Sequence, residues 1–320
     1  MKILIIRFSS IGDIVLTSPV IRCIKQQVNN AEVHFITKTI YKEIVCNNPH
    51  LTKVHCINDS VNEINEALLE EKFDLIIDLH DNLRSHQVSK LLGVKTYRYN
   101  KQRFKRFLLI QFKIDALKNH VVDRYFSAVK KLNVIHDGKG LDYFINEKEE
   151  ILPAQLPFTH IAGYAVIVIG AKHFTKRIPL EKLAALCQKI TIPIILLGGK
   201  EDAYTGTQLE AIDKFKIYNA CGNYSINQSA SVLKRAKFVI TPDTGMMHIA
   251  AAFQKRIIAI FGSTDKRLGF VPYQNNSNTA IIENTTLGCR PCHKHGLEKC
   301  PKDHFKCMND LDMQKIIDVL

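Results

Sequence analysis

Residues 2–21 read KILIIRFSSIGDIVLTSPVI. An apolar run ends in Arg-Phe-Ser-Ser-Ile-Gly-Asp, and a second apolar pattern begins at once. This puts a carboxylate, Asp13, where a buried strand turns into a helix. A carboxylate there can take a proton from a hydroxyl; the alternative is an ordinary helix cap. Gly12 permits a tight turn, and Ser9, Ser10 and the amides that follow can donate to an anion at the helix start. The loop has neither the G-x-G-x-x-G spacing of a dinucleotide site nor the G-K-[ST] ending of a P-loop.

A second loop of the same kind is TPDTGMMHIAAAF, residues 241–253. A strand delivers Asp243, Thr244 and Gly245 to a helix start, where free amides and the positive helix end can hold a diphosphate. Gly245 removes the Cβ that would keep a phosphate at a distance. His248, one turn further on, either faces the ligand or packs. GAKHFTKRIP, residues 170–179, brings Lys172, Lys176 and Arg177 after an earlier strand. GGKEDAY, residues 198–204, places Glu201 after the next one. That carboxylate can accept from ribose hydroxyls or serve as the first-turn acid of its helix. Tyr224, in another loop after a strand, is a candidate contact for a nucleotide base.

These loops need elements to carry them. Apolar runs over 2–8, 32–37, 53–57, 73–79 and 95–99 read as strands, with helical patterns between them over 14–28 and 61–71. A second series follows over 164–170, 193–198, 216–220, 237–241 and 256–261, with helices over 180–189, 203–215, 225–235 and 244–253. Strands apolar throughout and separated by helices predict parallel sheets covered on both faces. Between the two series NEKEEILPAQLPFTH, residues 146–160, is charged, carries Pro153 and Pro157, and reads as a linker. The expectation is α/β: a domain over 1–150 and a second over 151–320 that ends in a Cys-rich segment. Each is doubly wound and Rossmann-like, with a cleft between them and ligands beyond the carboxyl ends of the strands.

The loops together resemble glycosyltransferase family 9, the ADP-heptose:lipopolysaccharide heptosyltransferases. The matching pieces are SSIGDIVLTSPVI, the KR of FTKRIP, GGKED, PDTGMMHIAAAF, the IAIFGSTD after it, and the terminal CRPC…CPKDHFKCM. The resemblance implies a GT-B fold and transfer of a heptose from ADP-heptose to a hydroxyl of a lipid A-linked lipopolysaccharide core, with inversion. It implies that Asp13 is the base, that Lys176 neutralises the donor phosphates and that Glu201 binds the ribose. Thr244 and Gly245 become the diphosphate turn, with Asp243 against the donor sugar and His248 in the same motif. No cofactor or metal is called for, because a cation and a helix terminus take its place. Many relatives carry Trp after the KR pair, where this chain has Ile178 and no Trp anywhere. The alternative within this architecture is another nucleotide-sugar enzyme with a different donor or acceptor.

The net charge of +13 asks for an acidic partner. Part of it lies in RYNKQRFKRFLLIQFK, residues 98–113, where Phe104, Phe107, Leu108 and Phe112 interleave with Lys101, Arg103, Lys105 and Arg106. Such a segment suits an anionic membrane surface or a phosphate-rich acceptor. A nucleic-acid-binding reading would leave SSIGD and PDTG without a purpose, so no nucleic acid is expected. No apolar stretch approaches the roughly 20 residues that span a bilayer, and the apolar start is too short for a signal-peptide core. A cytoplasmic enzyme, peripheral on the inner face of the cytoplasmic membrane, is the expectation. Five of the nine cysteines are scattered in apolar patterns; Cys289, Cys292, Cys300 and Cys307 cluster, with His293, His295 and His304 among them. That spacing allows a tetrahedral zinc, a set of reduced thiols packing a compact loop, or redox chemistry.

Overall fold

The computed structural model describes residues 1–274 and 278–320. The chain divides into two compact units, Met1–Lys101 with Asn119–Phe144, and Gln102–Lys118 with Ile145–Leu320.

In chain order the elements up to residue 144 are β1 (Lys2–Ile6), α1 (Ile11–Val15), α2 (Ser18–Gln27), β2 (Glu32–Lys38), β3 (Lys53–Ile57), α3 (Asn65–Glu70), β4 (Leu75–Asp78), α4 (Leu83–Leu92), β5 (Lys95–Arg98), α5 (Arg103–Phe112) and α6 (Val121–Phe126). The first unit's sheet has the order β3-β2-β1-β4-β5, with every pair parallel. Its central strand, KILII, buries four of its five residues, as a strand covered on both faces must. Leu4, Ile6 and Phe8 pack with Ile36, Ile57, Leu68, Ile76 and Val88 on one face. The helical pattern over 14–28 is realised as two helices rather than one. Pro19 enters the first turn of α2, where its missing N–H is harmless, and the Thr17 hydroxyl donates to the Ile14 carbonyl at 2.7 Å as α1 ends.

The second unit continues with β6 (Ala165–Val168), α7 (Leu180–Lys189), β7 (Ile194–Leu197), α8 (Ala203–Glu210), β8 (Ile217–Asn219), α9 (Ile226–Arg235), β9 (Val239–Pro242), α10 (Gly245–Ala252), β10 (Ile257–Phe261), β11 (Thr279–Glu283), α11 (Lys306–Asn309) and α12 (Gln314–Ile317). Its sheet order is β11-β10-β9-β6-β7-β8, again all parallel. The edge strand β11 goes beyond the five strands read from the sequence. Cys307, Met308, Leu311 and Ile316 pack into the same core as Leu186, Cys187 and Ile258, so the Cys-rich segment is part of this unit's interior.

Two segments lie elsewhere than composition suggests. The stretch after residue 145, expected to be a linker, is docked on α9: Glu150 pairs with Lys234 at 2.8 Å and Arg235 at 3.2 Å, and the Ile151 amide donates to the buried Ser231 hydroxyl at 2.9 Å. From Gln102 onward the basic segment belongs to the second unit. Leu109 of α5 and Leu117 bury against Leu268 of the second unit.

In both sheets the strand order reverses at one point, between β1 and β4 in the first and between β6 and β9 in the second. Doubly wound sheets bind ligands at such points, beyond the strands' carboxyl ends.

Candidate functional site

In the first unit the loop after β1 carries Asp13. Ser10 is the N-cap of α1, and Asp13, three residues on, accepts from the Ser10 amide at 3.3 Å and hydroxyl at 2.9 Å. Asp13 therefore completes a capping box and does more besides. Its other oxygen meets the Arg7 guanidinium at 2.7 Å, and both side chains are about nine-tenths buried, at 12% and 9% exposed. Arg7 also donates to the Ser9 carbonyl at 2.7 Å and the Leu79 carbonyl at 2.5 Å, and it lies 5.8 Å from the Tyr125 ring centroid. Burial works against the Arg7 charge, but the Asp13 carboxylate, together with Tyr125 and Tyr99, more than compensates and holds it above its ordinary range. Arg7 thus ties the loop after β1 to the loop after β4 and orients the carboxylate. Ser9 is half-buried, Ser10 exposed and Gly12 buried. Tyr41 stands close by; burial, then the Asp13 charge, raises its hydroxyl pKa.

In the second unit the loops after β6 and β9 meet. Lys176 pairs with Asp243 at 2.9 Å, both side chains largely buried. Thr244 is the N-cap of α10 with extended backbone, and Gly245 begins the helix. The Thr241 and Thr244 hydroxyls are 3.3 Å apart. Helix-start amides beside a lysine can hold a diphosphate. His248 is buried, only 3% exposed.

Around this pair the sequence-derived candidates separate. Glu201 is exposed, in the turn Lys200–Asp202 after β7, while its neighbour Asp202 turns inward and is 5% exposed. Asp202 accepts from the Gly199 amide at 2.9 Å and faces Arg177 at 3.6 Å; burial raises its pKa. A Cβ on Gly170 would lie 2.2 Å from an Asp202 oxygen, and one on Gly198 would lie 2.8 Å from its Cβ. The glycines of these loops therefore make room for an acid that sequence reasoning passed over in favour of Glu201. Arg177 donates to the Ala171 carbonyl at 2.9 Å. Arg177 and Asp202 line a cavity of about 670 Å³ with Ile178, Leu183 and Phe305; neither Lys176 nor the Asp243–Gly245 turn borders it. Tyr224 is half-buried, and burial, then a hydrogen bond with Tyr218, raises its pKa.

The Cys-rich segment packs against the second unit's core through Cys307 and Met308. Arg290 is 4% exposed and donates to the carbonyls of Gly262 at 2.5 Å, Phe261 at 3.0 Å, Thr264 at 2.9 Å and Asn284 at 2.7 Å, and to Glu283 at 2.9 Å. It clamps the loop after β10 to the end of β11. Burial raises the Cys292 thiol to about 11 and Cys307 to about 12, with the neighbouring thiols adding to the effect. Among the described residues, the groups whose potential ligand atoms all lie within 4.8 Å are His34–His55–Glu71 and Asp78–Asp81–His86. Cys289, Cys292, Cys300 and Cys307 are not among these groups, although Cys289, Cys292 and Cys300 all act electrostatically on Cys307. The two groups that do converge have their charges occupied: Glu71 by Lys53 at 2.6 Å and Lys2 at 2.9 Å, and Asp78 by Arg98 at 3.2 Å.

A family model described as "Glycosyltransferase family 9 (heptosyltransferase)" matches residues 61–301. The chain is 28% identical over 326 residues to lipopolysaccharide heptosyltransferase 1 of Campylobacter coli, covering 93% of each. Among solved structures it resembles a glycosyl transferase family 9 protein of Veillonella parvula, with TM-score 0.80, 17% identity, and coverage of 99% of this chain and 95% of that one. It also resembles the E. coli heptosyltransferase WaaC with ADP, with TM-score 0.71, 21% identity and 99% of both chains covered. At these identities the structural likeness carries the fold, two Rossmann-like units in the GT-B class.

Proposed function

The chain belongs to glycosyltransferase family 9, and from that premise we propose that it transfers a heptose from ADP-heptose to a hydroxyl of a lipid A-linked lipopolysaccharide core, inverting the anomeric carbon. The observations that carry this reading are an oriented carboxylate, Asp13 on Arg7, in the first unit and a lysine-flanked helix start, Lys176 beside Thr244 and Gly245, in the second. Each stands at the reversal point of its own sheet.

Inversion by a single displacement needs one base and one stabilised leaving group. The acceptor oxygen attacks the anomeric carbon as Asp13 takes its proton, and the bond from that carbon to the diphosphate oxygen breaks. The electron pair leaves with ADP, whose new charge falls to Lys176 and the first amides of α10. Glu201, exposed at the carboxyl end of β7, is the acid assigned to the ribose. Asp243 holds Lys176 in place and is the residue nearest the donor sugar in this reading. The test is ADP release from ADP-heptose with and without a core-oligosaccharide acceptor. Release that rises with acceptor concentration is the expected result, whereas release indifferent to acceptor, or obtained only from another nucleotide sugar, overturns the assignment.

The enzyme works, in this reading, at the inner face of the cytoplasmic membrane, where a lipid-linked acceptor is presented. No described helix is long and apolar enough to cross a membrane. Peripheral attachment is assigned to α5, which leaves Phe104, Phe107 and Phe112 exposed at 71%, 50% and 62% beside the exposed Arg103 and Lys105. An apolar helix face flanked by cations adsorbs to anionic lipid. Flotation with anionic vesicles recovers the protein, and each basic residue of α5 changed to Gln lowers recovery by up to about fivefold in partition, the equivalent of about 1 kcal/mol. Equal recovery with neutral vesicles removes this assignment.

A further inference from the structure

The face of the first sheet that buries Leu4, Ile36, Ile57 and Leu68 also carries two histidines. Residues two apart along a strand share a face, which puts His34 of β2 on the side of Ile36 and His55 of β3 on the side of Ile57. The register sets His34 opposite Lys53 and Ile36 opposite His55, so the two histidines are diagonal neighbours. They are 2% and 6% exposed, and both rings stand edge-on to Phe73, at 5.2 and 5.9 Å. His34 Nδ1 and His55 Nε2 face each other at 3.0 Å. At most one proton lies between them, and the buried Nε2 of His34 has no hydrogen-bond partner. Two imidazoles are a costly filling for an apolar core on those terms.

Glu71, the residue that ends α3, completes the group. Its carboxylate lies 3.9 Å from His34 Nδ1 and 4.0 Å from His55 Nε2. Lys53 holds one of its oxygens at 2.6 Å and Lys2 the other at 2.9 Å, and these two cations hold its carboxyl down to about 2. The rings, by contrast, are neutral. Burial, then the neighbouring His34, holds His55 down to about 4, and burial lowers His34 as well. Two neutral imidazoles and an ionised carboxylate are the donor set of zinc and similar borderline cations. A tetrahedral zinc with its ligands at about 2.0–2.1 Å keeps them about 3.3 Å from one another. The separations of 3.0, 3.9 and 4.0 Å fall on either side of that spacing.

We propose that His34 Nδ1, His55 Nε2 and a Glu71 oxygen form a zinc site, with water as fourth ligand, that ties the end of α3 to β2 and β3. The oxygen is the one now held by Lys53, whose side chain is 56% exposed and can swing into solvent as the ion arrives. Lys2 keeps the other. The proton between the rings moves to an outer ring nitrogen, so each ring presents a lone pair to the ion and no net proton is released. The group lies beside Lys2, where β1 begins, whereas Asp13 follows the opposite end of that strand. The ion is therefore structural and takes no part in glycosyl transfer, and the inference stands apart from that reading.

The experiment uses the full chain, stripped with a chelator and titrated with zinc chloride in a calorimeter, with thermal melting followed in the presence and absence of zinc. The wild type binds an equimolar amount of zinc and melts at a higher temperature with it, as a protein whose folded state alone holds the ion must. Glu71→Gln and His55→Gln each lower zinc affinity by at least about 10- to 100-fold, the loss that even a supporting partner of a metal ligand causes. Lys53→Met raises the affinity, because a cation that competes for the Glu71 oxygen is gone; a purely structural ion pair gives no such gain. Affinity for ADP is the same in all four proteins. Should His55→Gln fail to fold, Glu71→Gln decides, since it alters a side chain that reaches the surface. A wild type that takes up no zinc overturns the site. So does zinc affinity that survives Glu71→Gln but falls on Cys300→Ser, which places the ion among the terminal cysteines.

Discussion

Asp13→Asn lowers transfer by at least about a hundredfold at saturating substrates, the contribution of a positioned general base, while the affinity for ADP stays that of the wild type. The substitution is close to isosteric. Its amide oxygen can still accept from the Ser10 amide and complete the capping box. What disappears is the proton acceptor and the charge opposite Arg7. The latter has its own cost, because removing one member of a buried pair leaves the other uncompensated, a loss of about 3–5 kcal/mol in unfavourable cases. Two carbonyls, of Ser9 and Leu79, continue to hold the guanidinium and reduce that loss. ADP titration reports on the second unit, so the integrity of the first must be read separately, by thermal melting followed by circular dichroism. A folded Asp13→Asn enzyme with near-normal turnover would remove Asp13 from the chemistry.

Lys176→Ala weakens donor binding by about 10- to 100-fold and slows transfer as well. The effect exceeds that of losing one cation. Lys176 pairs with Asp243 at 2.9 Å, so without it the turn proposed to bind phosphate would face its ligand with a bare carboxylate. Like charge next to a diphosphate repels it, and the buried carboxylate is itself poorly solvated. The double variant Lys176→Ala/Asp243→Asn should therefore recover part of the donor affinity, a non-additivity expected of residues in contact. Calorimetric titration with ADP on the single and double variants measures it. An unchanged rate and donor affinity in Lys176→Ala places the lysine outside the site.

The two helix-start loops were legible as such because SSIGD and PDTG each follow an apolar strand with capping residues and a glycine. The strands were legible for a similar reason, since a strand covered on both faces has to be apolar throughout. Other features depend on contacts distant in sequence. Nothing local marks Arg7 as the partner of Asp13, because an arginine that ends a strand is ordinary until its neighbours are known. Glu201 and Asp202 are adjacent acids, and only the space left by Gly170 and Gly198 shows which one turns inward. The passage of α5 to the second unit rests on three leucines, Leu109, Leu117 and Leu268, more than 150 residues apart at the extremes. The break before Pro19, by contrast, was written in the sequence and overridden by the periodicity around it.

The cysteine-bearing segment also bears on how this enzyme can be recombined with its relatives. The backbone amide of Thr175, next to Lys176, donates to the Leu297 carbonyl at 3.1 Å; the buried Thr175 hydroxyl donates to that carbonyl at 3.0 Å and accepts from the Leu297 amide at 2.8 Å and the Ser263 hydroxyl at 2.8 Å. Gly296 has φ +94°, and a Cβ there would lie 2.9 Å from Cδ of Lys176. The trailing region is thus the backing plate of Lys176, the cation proposed to receive the leaving group. Chimeras with swapped tails must carry the 170–177 loop along with its seam, because the two are inherited as one part.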